Sequence, residues 1–184
     1  MKKERKYDVK RISSLLVVAL VVVLLPVSAL AQSGFVRYEN EGLGFSVIYP
    51  GDWEYYEGLM GTSFIALSPM ESANDAFREN FNVTIEDLGG YSISLDDYYT
   101  LGINQLAGAI TDFKLIGGGD TVLAGRLAKL VVFTGTQGEL ELKWLQGYVL
   151  VDDLAYVITF VAERDRFDSY MPDVYTAFNT FSVW

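Results

Sequence analysis

The sequence predicts an α+β domain in which an antiparallel β-sheet is sandwiched between helices, an α/β/α arrangement. Three observations predict it. Residues 155–162 are almost wholly apolar, as befits a central strand covered on both faces. Several other segments alternate apolar and polar residues with a period of two. Two segments, one opening at Ser94 and one near Phe167, repeat their apolar residues at helical spacing instead. Strands, a long helix, a meander of strands and a last helix together read as α+β.

Residues 1–31 read as a secretory signal peptide. Lys2, Lys3, Arg5, Lys6, Lys10 and Arg11 form a basic leading region, and residues 15–25 are an apolar run. Pro26 breaks the run, and Ala29-Leu30-Ala31 is a small-x-small site that places cleavage between Ala31 and Gln32. The run is shorter than the roughly 20 residues a spanning helix needs. An uncleaved N-terminal anchor is the alternative. No Cys follows the small residues, so no lipid anchor is expected.

The mature chain, 32–184, has the length of a single domain. It holds no Cys, so no disulfide contributes to its stability. From Gln32 onward 8 Lys and Arg stand against 22 Asp and Glu, a net charge of −14. A surface this acidic repels phosphate backbones, which excludes nucleic acid as a partner. It also disfavours direct binding to anionic lipid headgroups.

The elements follow in order. Residues 35–38 make a short first strand, and Glu39-Asn40-Glu41-Gly42 a turn. In residues 43–49, Phe45, Val47 and Tyr49 share one face. Pro50 cannot donate to a ladder and should end that strand, with Gly51 taking a positive φ in a Pro-Gly turn and Trp53 plugging the core behind it. Residues 62–67 form a third strand, and 68–79 are polar and irregular. Phe81, Val83 and Ile85 alternate with Asn82, Thr84 and Glu86, the pattern of a half-buried strand. Ser94 caps a helix, and Asp97 reaches back to it in a variant of the capping box. The helix should end near Ile110.

Four β segments come next. Residues 113–116 lead into Gly117-Gly118-Gly119-Asp120, which reads as a hairpin turn. Residues 127–134 are rich in β-branched side chains, and Gly135-Thr136-Gln137-Gly138 reads as a hairpin loop. Leu140, Leu142 and Trp144 alternate with charges, so Trp144 is a core residue, and the strand continues to Val151. Asp152-Asp153 is a turn. In the last helix Phe167, Tyr170, Met171, Val174, Tyr175 and Phe178 recur at helical spacing. Pro172 fits if Ser169 is the cap and Pro172 lies in the first turn.

Particular words along this chain resemble the PsbP-like family. They are Tyr38-x-Asn40, then Gly44-Phe45-Ser46-Val47-x-Tyr49-Pro50-x-x-Trp53, Asn82-Val83-Thr84-Ile85 and Ser94-Leu95-Asp96-Asp97-Tyr98. Gly125-Arg126-x-Ala128, Tyr156-Val157-Ile158-Thr159 and the ending Phe178-x-x-Phe181-Ser182-Val183 complete the set. The resemblance implies an antiparallel sheet between helices and an exported location. The best-known members are extrinsic lumenal proteins of photosystem II that support calcium and chloride retention. This chain has neither the lipid-anchor Cys of photosynthetic bacterial members nor any His to match the family's metal-site histidines. The resemblance therefore carries over fold and compartment, and no binding residue.

Without His or Cys, Ser-His-Asp and Cys-His catalysis are excluded, as are zinc and iron–sulfur sites built on those ligands. No phosphate-binding loop of the G-x-x-x-x-G-K-[ST] type is present. Asn82-Val83-Thr84 matches a glycosylation sequon, but its place within a strand reads as ladder. The remaining chemistry is carboxylate. Asp152 with Asp153, and Glu139 with Glu141 on one strand face, are the weak candidates for calcium, a hard cation that takes oxygen ligands. Tyr55, Tyr56, Tyr91, Tyr98 and Tyr99 are candidates to line a groove. The expected function is that of an exported, non-catalytic domain that binds a protein partner or supports a membrane-associated complex. The alternatives are an extracytoplasmic module for a small apolar or sugar ligand, held between a helix and the sheet, and a photosystem II accessory protein with weak calcium binding.

Overall fold

A computed structural model describes residues 34–73 and 75–184. The signal segment and its Ala31–Gln32 cleavage site lie outside the described residues. No helix among the described residues is long and apolar enough to cross a membrane.

The chain forms β1 (Phe35–Asn40), β2 (Phe45–Pro50), β3 (Glu54–Tyr56), β4 (Phe64–Leu67) and β5 (Asn80–Asp87). Next come α1 (Leu95–Ala109), β6 (Thr111–Leu123), β7 (Arg126–Gln137), β8 (Leu140–Val151) and β9 (Leu154–Glu163). The last elements are α2 (Phe167–Thr180) and β10 (Ser182–Val183). Seven strands build the main sheet in the order β3-β4-β5-β9-β8-β7-β6, and β1, β2 and β10 build a small second sheet. Every pairing is antiparallel.

The expected layering holds in part. One face of the main sheet packs against α1, through Tyr98, Leu106 and Ile110 on Val131, Phe133, Tyr148 and Val157. The opposite face is covered by α2 and the small sheet together. Phe45, Val47 and Tyr49 of β2 and Val174, Ala177 and Phe178 of α2 meet Phe64, Phe81, Val83, Tyr156 and Ile158 there. The second cover is thus half helix and half sheet. β9 is the shared central strand, with Tyr156, Ile158 and Phe160 on one side and Ala155, Val157 and Val161 on the other.

Local chemistry explains several boundaries. Ser94 Oγ accepts from the Asp97 amide at 3.1 Å and donates to the Asp97 carboxylate at 2.7 Å, closing the start of α1. β2 ends at Pro50, and the Trp53 amide bonds back to the Pro50 carbonyl at 3.1 Å. Trp53 is buried against Tyr170 of α2, ring centroids 5.9 Å apart. Gly51 is not among the residues of positive φ, so that turn closes without it. The demanding glycine lies at the other end of the strand. Gly44 has φ +67°, and a Cβ there would meet the Trp184 carbonyl at 3.0 Å and the Tyr156 hydroxyl at 3.2 Å.

Three sequence expectations are corrected. Gly117-Gly118-Gly119-Asp120 is no turn: β6 runs straight through it in register with β7, and the reversal falls at Ala124-Gly125, both at positive φ. Three glycines permit a turn but do not require one, and pairing with the β-branched strand β7 extends them. Gly135, Thr136 and Gln137 belong to β7, so the next reversal is only Gly138-Glu139. Finally α2 begins at Phe167 with no side-chain cap, so Pro172 lies inside the helix and not in its first turn. Proline there removes one backbone bond, and the apolar stripe of α2 on the sheet holds the helix together across it.

Candidate functional site

The period of two places Asn80, Asn82, Thr84 and Glu86 on one face of β5. The alternation predicts a solvated face; the structure buries Asn80, Asn82 and Glu86 on the α1 side, where Tyr98 of α1 and Phe77 pack. Register extends this polar set across the sheet. Asn82 of β5 is opposite Thr159 of β9, and Thr159 is opposite Gln146 of β8. Three adjacent central strands thus carry a polar row through an otherwise apolar layer.

Hydrogen bonds satisfy its members in separate groups. Gln146 Nε2 donates to Thr159 Oγ1 at 2.9 Å, and the Tyr148 hydroxyl donates to Gln146 Oε1. Asn82 Nδ2 donates to Asn80 Oδ1 at 3.1 Å, so the sequon asparagine is an internal ladder residue. From α1 the Tyr98 hydroxyl reaches down to Glu86 Oε2 at 2.8 Å. Tyr98 and Tyr99 both set their rings edge-on to Tyr148, at 6.0 and 5.7 Å. A Cβ at Gly102 would approach the Tyr148 hydroxyl to 3.3 Å, so glycine there lets α1 sit close.

Burial sets the electrostatics. It pushes the Glu86 carboxyl above the usual carboxylate range, and the Tyr98 hydrogen bond pulls partly back. Burial, then the nearby Glu86 charge, raises the Tyr98 hydroxyl, and burial likewise raises Tyr148. A second buried carboxylate, Glu79, accepts from Ser68 Oγ at 3.0 Å and is also raised by burial. Its neighbour on α2, Tyr170, is pushed up to about 12 by burial and then by Glu79. Arg78 locks the covering segment: it donates to the Ser68 and Leu67 carbonyls and, at 3.0 Å, to Glu54.

No buried side-chain polar atom among the described residues lacks a partner. The Thr159 hydroxyl accepts from an amide, not from a base.

The carboxylate candidates are not brought together. Glu139 lies in the turn and Glu141 in the strand beyond it, exposed and ion-paired with Arg164 at 3.0 Å. Asp152 and Asp153 form the turn at the other end of β8, a strand of 12 residues and so about 40 Å long. No group of three or more Asp or Glu among the described residues is placed to hold a metal ion. The tyrosines also scatter: Tyr98 and Tyr99 lie over the polar row, Tyr55 is exposed beside Tyr38 and Phe64, and Tyr91 is exposed in a loop. Sequence reasoning missed Gln146 and Thr159. A lone polar residue inside an apolar strand covered on both faces was the available signal.

The fold is PsbP-like. The solution structure of cyanobacterial PsbP from Synechocystis sp. PCC 6803 matches with a TM-score of 0.62 at 16% identity, covering 88% of this chain and 99% of that one. LpqN, a Mycobacterium tuberculosis protein involved in cell envelope biogenesis, matches with a TM-score of 0.63 at 13% identity, covering 82% and 90%. A Pseudomonas aeruginosa protein described as a putative regulator, PA94, matches at 0.52 and 15% identity, covering 75% and 89%. No family model and no curated protein sequence matches the chain.

Proposed function

We propose that this chain is an exported, non-catalytic domain that serves as an accessory or protein-binding factor of an envelope or membrane-associated complex. One observation carries the reading: buried polar groups among the described residues are satisfied internally, while four large exposed apolar side chains are spread along the β6–β7 hairpin. Leu115, Ile116, Val122 and Leu127 all face solvent there. Large apolar side chains left exposed along one edge of a sheet suit an interaction surface. The envelope role in the description of LpqN, together with the shared fold, supports the setting. The test is affinity capture from envelope extract by the tagged, exported protein, with sedimentation of the purified protein alongside. A stoichiometric partner is expected; a strictly monomeric protein that retains nothing overturns the reading.

A second reading has its own observation. A small apolar or sugar ligand between α1 and the sheet would sit beside this polar row and exchange hydrogen bonds with it, Tyr98–Glu86 and Gln146–Thr159 being the nearest. A thermal-shift screen with sugars and small apolar molecules tests it, because a ligand that binds only the folded state raises its stability. No shift at large ligand excess removes this reading.

A further inference from the structure

The main sheet has two edges, and they are treated differently. β3 is only 3 residues long, Glu54–Tyr56. Short edge strands are one way proteins avoid unwanted pairing. β6 runs for 13 residues, and β7 is its one strand neighbour among the described residues. Its first half is irregular, with register breaks between Thr111 and Lys114 and between Leu115 and Gly117, and Asp112 at φ 53°. From Gly117 to Leu123 the register is unbroken. This second half therefore presents a straight, unpaired row of backbone donors and acceptors.

The two faces of that half differ. Gly117, Gly119 and Thr121 are opposite Val132, Leu130 and Ala128 of β7, on the α2 side of the sheet. A Cβ placed on Gly117 or Gly119 would meet nothing within 4 Å, and Leu130 and Val132 are only partly buried. Bulky side chains arriving from a neighbouring strand have room to lie there. On the α1 side stand Asp120 and Val122, with Val122 63% exposed. Asp120 shares its one partner, Lys129, with Asp96, so two carboxylates meet a single ammonium. The Asp120 side chain is 81% exposed, which leaves its charge open to a second cation.

We propose that β6 is the docking edge, taking an extended segment of a partner protein by strand addition along Gly117–Leu123. This rests on the protein-binding reading above and specifies its partner. The segment alternates: apolar side chains cover Gly117 and Gly119, and a Lys or Arg on the other face meets Asp120. Main-chain bonds supply the affinity, and the alternate side chains supply the choice of partner. A second copy of this chain is the poorer fit. It would bring its own Asp120 and the net charge of −14 carried by its residues 32–184 to the same edge.

The test uses synthetic peptides long enough to span Gly117–Leu123. One alternates valine and lysine, one valine and glutamate, and one is the lysine peptide with alternate backbone amides methylated. Fluorescence anisotropy should show the lysine peptide binding about ten-fold more tightly than the glutamate peptide, since like charges across an interface are penalised. The methylated peptide should not bind. Bound lysine peptide should slow amide exchange in β6 and not in β3. Asp120→Asn should shrink the ten-fold preference several-fold and Asp120→Lys should shrink it further, each with an unchanged thermal midpoint, while the remaining acidity of the chain keeps some bias toward lysine. Equal binding of the methylated peptide, or no binding of any peptide, overturns strand addition. A wild-type dimer with β6 already protected overturns it in favour of a second copy. A captured envelope partner that is indifferent to Asp120→Lys overturns this inference and leaves the proposed function standing.

Discussion

The two faces of the main sheet are built from the same strands and are chemically unlike. On the face under α2 and the small sheet, ring packs on ring. Phe45 alone has Tyr38, Phe64, Tyr156 and Phe181 with centroids between 5.5 and 6.5 Å. On the face under α1, Asn80, Asn82, Glu86, Gln146 and Thr159 sit buried, satisfied by separate hydrogen bonds. The dry face gains from area and dispersion and asks for shape. The polar face gains little net from each hydrogen bond but is unforgiving of a missing partner.

The largest test of the contrast is Phe45→Ala. Phe45 is fully buried. Its truncation should cost about 3–5 kcal/mol in denaturant unfolding. A loss below about 1 kcal/mol would break the account of the dry face. Next is Tyr98→Phe, which deletes one oxygen and leaves Glu86 without its partner. The expected loss is about 1–3 kcal/mol at neutral pH, by the same measurement. Replacing both groups, as Tyr98→Phe with Glu86→Leu, should recover much of it, because no unpaired carboxylate remains. If the double variant is as unstable as the two single losses summed, the two side chains are not coupled. Ser94→Ala should follow at about 1 kcal/mol, by loss of the cap of α1. That change loosens the cover of the polar face and leaves the dry one untouched, which amide exchange in α1 and α2 would separate.

The last prediction is a slope. Burial holds Glu86 above the ordinary value of 4.5 in the folded chain. The folded state therefore takes up its proton at a higher pH than the unfolded chain does. As pH falls from neutral through that raised value, the contribution of Glu86 to stability grows; as pH rises through it, that contribution is lost. Glu79, Glu163 and Asp173 shift in the same direction, so the readout is the difference between wild type and Glu86→Gln. Melting temperatures from neutral pH down to the ordinary glutamate range should rise less in the variant. Parallel curves would mean that Glu86 is solvated.

Much of the fold was legible because its signals are local. The Ser94–Asp97 cap, the stop of β2 at Pro50, the end of α1 at Ile110 and the two-sided burial of β9 all follow from a few adjacent residues. The errors share one cause. The run of glycines at 117–119 and Pro172 were read by their intrinsic preferences, and pairing with β7 and packing of α2 overrode them. The candidate site was less legible. Asn82 and Glu86 have the spacing of a solvated strand face, and only the packing of Tyr98 of α1 and Phe77 on that side makes it an interior.

The sequence by itself determined the α+β class, the two helices and the longer strands in their order, and the alternation along β2, β5 and β9, but neither of the short strands β3 and β10. Period, caps and breakers act within a few residues and need no tertiary context. Only the tertiary structure decided that a small sheet shares the second cover with α2, that Asn82, Thr159 and Gln146 line up across three strands, and that β6 ends the sheet unpaired. Those facts depend on contacts between residues far apart in the chain, and no local pattern encodes which partner a strand or helix will find.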